Sequence, residues 1–224
     1  MVRLGGLELK RSVVAALGEN PVEYANKAKQ LGADILELRI DLLDGDARQS
    51  LQDVKGIGLP VIITNRMKQE GGEWHRDESL RIKTLVSLLP LSDAVDIELC
   101  SDKRDDVVKV ASDAGKTVII STHDFQKTPR LDVMMGIFNE SFEAGADIAK
   151  LAVMPNSLED VLRLFEATLR AKGPVCTIAM GETGRHSRVI APIYGSVMTY
   201  GYVENALAPG QLRVDELKNI LGKI

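Results

Sequence analysis

The chain has 224 residues, 45% of them hydrophobic and 27% charged, with 28 Lys plus Arg against 32 Asp plus Glu and a net charge of −4. That length admits one large domain or two small ones, and the composition excludes disordered, collagen-like and coiled-coil chains. There is no basic excess for nucleic acid, and two cysteines, Cys100 and Cys176, make neither a disulfide framework nor a zinc or CxxC spacing. The opening MVRLGGLELKRSVVAAL is broken by Arg3, Glu8, Lys10 and Arg11, unlike a signal peptide. No window approaches the roughly 18 apolar residues of a membrane helix. A cytoplasmic protein with no membrane or nucleic-acid partner is expected.

In chain order, short apolar runs alternate with amphipathic stretches. SVVAAL (from 12) precedes PVEYANKAKQLGA; ADILELRI (from 33) and PVIITN (from 60) precede DESLRIKTLVSLL; AVDIEL (from 94) precedes KRDDVVKVASDAG. TVIIST (from 117) leads to LDVMMGIFNESFEAG, ADIAKLAV (from 146) to SLEDVLRLFEATLRAKG, and PVCTIAM (from 174) to the weaker run SVMTY (from 196). VDELKNILGKI ends the chain. Ser157 ahead of Glu159 and Asp160 suits a helix start, and Gly173–Pro174 suits a stop. Repeated βα units imply a parallel sheet, and eight of them in one domain over residues 1–224 suggest a compact (β/α)8 TIM barrel.

Strand faces separate the barrel from an open doubly wound sheet, whose strands are apolar on both sides. Alternation places Ile35, Glu37, Arg39 and Asp41 on one face and Leu36, Leu38 and Ile40 on the other. Asp96 and Glu98 oppose Val95 and Ile97; Ser121 and His123 share a face; Lys150 falls between Ile148 and Ala152. Polar inner faces near the strand ends fit the mouth of a barrel.

A lysine in mid-strand among apolar neighbours is expected to be partly desolvated, which favours the neutral, nucleophilic amine. Taken alone it reads equally as a snorkelling or ion-paired charge. His123, at a strand end, reads as a site residue or as a satisfied core histidine. His75 and His186 read as loop residues, and with no histidine pair at ligand spacing no metal is expected. Arg66 and Glu70 flank the exit of the third strand. Gly71–Gly72 reads either as a flexible turn or as a place where backbone approaches a ligand. Arg188 suits a carboxylate through its planar fork, or else is a surface arginine.

Together these residues resemble type I 3-dehydroquinate dehydratase, a Schiff-base family of the shikimate pathway. ELRID at 37, TNR at 64, EGG at 70, DIEL at 96, STHDF at 121, KLAVMP at 150, MGETGRHSR at 180 and APGQ at 208 occur in order. The match runs over about residues 12–221. The resemblance implies that Lys150 forms an imine with the substrate ketone, that His123 is the general acid–base, and that Glu70 positions its imidazole. It implies a substrate pocket of Glu37, Arg39, Arg66, Met180 and Tyr200, with Arg188 on the substrate carboxylate and Gln211 on a lid. No cofactor and a homodimer are implied as well. Leu207 stands where the family usually has a serine, which weakens the lid's substrate contacts. The runner-up is an aldolase-like lyase using Lys150, and a third reading is a non-catalytic barrel. The first lacks a Gly-rich phosphate cradle, and the second leaves Lys150 an ordinary charge.

Overall fold

The computed structural model describes residues 2–224. Eight parallel strands are formed by the runs expected from the sequence: β1 (Ser12–Leu17), β2 (Ile35–Arg39), β3 (Val61–Thr64), β4 (Ala94–Glu98), β5 (Thr117–Asp124), β6 (Ile148–Val153), β7 (Val175–Ala179) and β8 (Met198–Tyr202). The sheet runs β8-β1-β2-β3-β4-β5-β6-β7, and Leu212–Arg213 pairs with the outer edge of β8 as a ninth strand. Between β7 and β8 the seam is thin: a parallel bridge joins Val175 to Ser196, with Val197 N donating to Val175 O at 2.8 Å. The sheet thus curls round on itself as an α/β barrel.

Amphipathic stretches form the outer helices α1 (Pro21–Gln30), α2 (Ala47–Lys55), α3 (Glu78–Leu88), α4 (Arg104–Asp113), α5 (Leu131–Glu143) and α6 (Leu158–Arg170). Ser157 caps α6 by accepting from Asp160 N, as its position suggests. Outward-facing Leu36, Leu38, Ile63, Val95, Ile97 and Ile120 pack with Leu51, Leu85 and Val107 of the helices into one buried core.

Three features depart from the simple repeat. Helix α2, capped by Asp46, occupies ARQSLQDVK, a polar stretch that fully buries only Leu51 and Val54, with Ala47 packed partly against the core. After β7 the chain makes two one-turn helices, α7 (Gly181–Gly184) and α8 (Ser187–Ile190), because glycines and a proline interrupt any longer run. The last helix, α9 (Val214–Leu221), follows. Ahead of β1, Arg3–Leu4 and Leu7–Glu8 pair antiparallel as a hairpin. Its Leu4, with Leu9, joins Val14, Ile35, Ile62, Ile119 and Ile148 in a buried cluster, closing the N-terminal end of the barrel with hydrocarbon.

Candidate active site

Barrel interiors fill in layers of four side chains drawn from alternate strands. The even strands place Glu37, Asp96, Lys150 and Tyr200 in one such layer. Lys150 Nζ donates to Asp96 Oδ2 at 2.8 Å, lies 3.5 Å from Glu37 Oε1 and stands 4.3 Å from the centroid of the Tyr200 ring. The lysine is only 5% exposed, so it does not snorkel. Its surroundings are charged rather than apolar, a correction to the slot implied by its strand neighbours: partners arrive from β2 and β4.

A continuous network holds this layer. Asp96 Oδ1 accepts from Arg66 Nη2 at 2.9 Å and from Ser121 Oγ at 2.7 Å. Burial alone pushes the Asp96 carboxyl up, but the Arg66 and Lys150 cations outweigh it and hold Asp96 well below the usual carboxylate range. Arg66 Nη1 donates to Glu98 Oε1 at 2.8 Å, and Glu98 Oε2 accepts from Arg81 Nη1 at 2.7 Å. Fully buried Arg81 also binds the Asn65 carbonyl and both oxygens of Glu78. Helix α3 is thereby tied to the lysine through an unbroken chain of charge-assisted bonds.

His123 lies one inward-facing rung beyond the Lys150 level, since Ser121 registers with Lys150 and His123 with Ala152. Its Nδ1 is 2.8 Å from Glu70 Oε2, and the same oxygen accepts the His123 backbone N–H at 2.9 Å. Burial, with Arg66 and Lys150 nearby, holds the imidazole well below its ordinary value, so it is neutral. Burial raises Glu70 to about 7 against the pull of Arg66. Such a pair is suited to carry one proton back and forth near neutrality.

Arg188 is 1% exposed and therefore no surface arginine. Its Nε donates to the Gly210 carbonyl at 2.8 Å, Nη2 to Pro209 at 3.0 Å and Nη1 to Tyr200 at 3.2 Å. One N–H remains on each terminal nitrogen, the pair that an end-on carboxylate uses. Desolvation lowers Arg188 to about 10. The 207–211 segment lies close against α7: Gly210 has φ +72°, and a Cβ there would sit 2.3 Å from the Gly181 carbonyl oxygen. Gln211 Oε1 accepts from Leu207 N at 2.7 Å, leaving its amide NH2 as a donor.

One cavity, open to solvent, is lined by Glu37, Arg39, Arg66, Glu70, His123 and Lys150 on one side. Met180, Arg188, Tyr200 and Gln211 line the other, with Leu207 at the rim. All the candidate residues from the sequence thus meet in one place. Within it Arg39 forks onto Asp41 at 2.9 and 2.7 Å, and Arg66 gives two donors to the Glu98 and Asp96 carboxylates and one to the Ser121 hydroxyl. Gly71–Gly72 fits neither reading offered for it, a flexible turn or a ligand approach, but packs closely against the chain itself: a Cβ at Gly72 would lie 2.0 Å from the Arg66 carbonyl oxygen, and one at Gly71 would strike the Phe125 ring. His75 lies in a loop, and His186, in the turn between α7 and α8, packs edge-on to Phe165.

Asp96, Ser121, Glu98, Arg81 and Cys100 complete the site and were not among its candidates. Alternation had already turned Asp96 inward. Arg81 carries no such signal, because it reads as one more charge on an amphipathic helix.

A parallel barrel whose charged lysine layer opens at the C-terminal ends of the strands defines an α/β-barrel enzyme. The sequence profile described as Type I 3-dehydroquinase matches residues 12–224. A 3-dehydroquinate dehydratase from Methanosarcina barkeri is 50% identical, covering 99% of this chain and 98% of that one. Another from Methanosarcina acetivorans is 52% identical over 96% of this chain and 95% of its own. The crystal structure of the type I 3-dehydroquinate dehydratase from Clostridium difficile with covalently modified comenic acid superposes with a TM-score of 0.92 at 30% identity, covering 99% and 96% of the two chains. The chain belongs to the type I 3-dehydroquinase family, and its activity is that of a lyase.

Proposed function

We propose that this chain converts 3-dehydroquinate to 3-dehydroshikimate through an imine at Lys150, the third step of the shikimate pathway. The observation that carries the reading is the placing of a buried lysine and a half-buried, neutral histidine on adjacent strands of one cavity. Lys150 Nζ adds to the C3 ketone, and loss of water leaves a protonated imine. That cation draws electrons from the neighbouring C2–H bond. His123 Nε2, freed as acceptor when Nδ1–H donates to Glu70, takes the C2 proton. The resulting enamine expels the C1 hydroxyl, which leaves as water with the proton that His123 returns. A single base on one face makes the elimination syn, and water then hydrolyses the conjugated imine to product and free lysine.

Arg188, with its two remaining N–H groups, binds the substrate carboxylate, and Gln211 donates its amide from the 207–211 segment. Glu37, Arg39, Arg66, Met180 and Tyr200 shape the rest of the pocket. Borohydride reduction in the presence of 3-dehydroquinate, followed by peptide mass analysis, is expected to place a stable adduct on Lys150. No adduct on any lysine, with no enone product formed, overturns the reading. No helix among the described residues is long and apolar enough to cross a membrane. The same reading takes the chain as one barrel domain, cytoplasmic and homodimeric. A monomer in sedimentation velocity would remove the last of these.

A further inference from the structure

Three neighbouring strand exits meet beside His123. Glu70 sits in the 3₁₀ turn Lys68–Glu70 after β3, Cys100 follows β4, and His123 is near the end of β5. The two oxygens of Glu70 divide their work. Oε2 takes both bonds from His123, while Oε1 accepts from Cys100 Sγ at 3.2 Å. Met67 Sδ lies 3.4 Å from the same sulfur, but a thioether is a far weaker acceptor than a carboxylate.

We infer that Cys100 is a positioning residue for the acid–base step: its thiol holds Glu70 as an ionised acceptor and so fixes which nitrogen of His123 carries the proton. With Glu70 ionised, His123 Nδ1–H donates to it and Nε2 is left as the base. With Glu70 protonated, the hydrogen bond reverses, Nε2 keeps its proton and the imidazole has no free lone pair for the C2 proton. The balance between the two is delicate, because the groups facing Glu70 oppose one another. Burial of Glu70 disfavours the carboxylate, Arg66 from the β3 exit favours it, and Glu98 on β4 disfavours it. The Cys100 bond therefore acts where a small contribution decides the state.

The thiol is suited to remain a donor. Although Cys100 is exposed, desolvation on the side facing Glu70 and the Glu70 carboxylate itself push the thiol up to about 12, so it stays a donor near neutral pH.

The inference rests on His123 as the acid–base residue of the imine mechanism. Its test compares wild type, Cys100→Ala and Cys100→Ser by the pH profile of kcat/KM, followed through the enone absorbance. Removing the donor destabilises ionised Glu70, so the acid limb of the alanine variant is expected to move to higher pH by roughly 0.5–1 pH unit. On the acid side that is a loss of roughly three- to tenfold, which vanishes on the alkaline side. Serine, which keeps a donor, is expected to return the limb toward wild type. In 15N spectra the alanine variant should shift the His123 ring population toward the Nε2-protonated tautomer at neutral pH.

An alanine variant with the limb unmoved overturns the inference. So does an equal loss at every pH, which is what a structural role alone produces. Borohydride trapping on the same proteins separates this from the mechanism. Trapping in wild type with an unmoved limb refutes Cys100 alone, whereas no adduct in wild type refutes the imine reading whatever the limb does. A wild type that forms no enone refutes both.

Discussion

Strands β2, β4, β6 and β8 each place a lower and an upper residue, two positions apart, on the barrel interior. The lower set is Ile35, Ala94, Ile148 and Met198, all in one buried apolar cluster. The upper set is Glu37, Asp96, Lys150 and Tyr200, with the lysine held between two carboxylates and an aromatic face. A rise of about 6.6 Å along each strand thus separates packing from chemistry. The lower set, capped by Leu4 and Leu9, keeps water from reaching the charges from beneath. The lesson is one of division of labour: the hydrocarbon layer supplies stability, and the charged layer above it gives some of that stability up to hold ions away from water.

Substitutions divide along the same line. Lys150→Ala is expected to abolish both turnover and the borohydride adduct while the chain stays folded; an adduct on another lysine with turnover retained would break the comparison. His123→Ala should lower kcat by about 10²–10⁴-fold, with the Lys150 adduct still forming. Normal turnover there would remove His123 from its role. Below them, Ile148→Ala should cost about 2–5 kcal/mol in denaturant unfolding while the pH profile of kcat/KM keeps its shape. A change in that shape would show the two layers to be coupled.

Glu70 sharpens the comparison because it belongs to the upper region yet acts on stability. Its folded value of about 7 lies above the ordinary 4.5. As pH rises from 4.5 to 7 the unfolded chain gives up this proton first, so folding stability from Glu70 falls across that window. Glu70→Gln is expected to remove that slope and to be more stable at neutral pH by up to roughly 3 kcal/mol, with lower activity. An unchanged slope relative to wild type would refute the assignment. The smallest effect is expected at the rim, where Leu207→Ser adds a hydroxyl to the cavity. One hydrogen bond of about 0.5–1.5 kcal/mol would lower KM several-fold, and an unchanged KM would mean residue 207 makes no contact with substrate.

Much of this was legible in the chain. Period-two alternation in ILELR, VDIEL and IIST located both the strands and their inner faces, because the helix-facing side had to be continuously apolar. What alternation does not encode is which strand's residue meets which across the lumen. That depends on stagger and tilt, so Lys150 was visible and its ion pair with Asp96 was not. The N-terminal hairpin escaped because two-residue strands show no period at all. Arg188 was legible as a buried fork only once the path of residues 207–211 supplied its carbonyl partners.

Those carbonyls also bear on how the barrel opens. The β7–β8 seam is joined among the described residues by the Val175–Ser196 bridge at its lower end, and toward the mouth β8 turns to Leu212–Arg213 instead. Arg188, just past β7, grips the Tyr200, Pro209 and Gly210 carbonyls and so works as a clasp across that gap. Local unfolding with the lowest free energy is therefore directed to this seam, and amides of residues 198–211 should exchange with solvent before those of β2 to β6. A ligand carboxylate on the remaining N–H groups of Arg188 would fasten the clasp, so occupancy of the pocket and closure of the barrel wall become a single equilibrium.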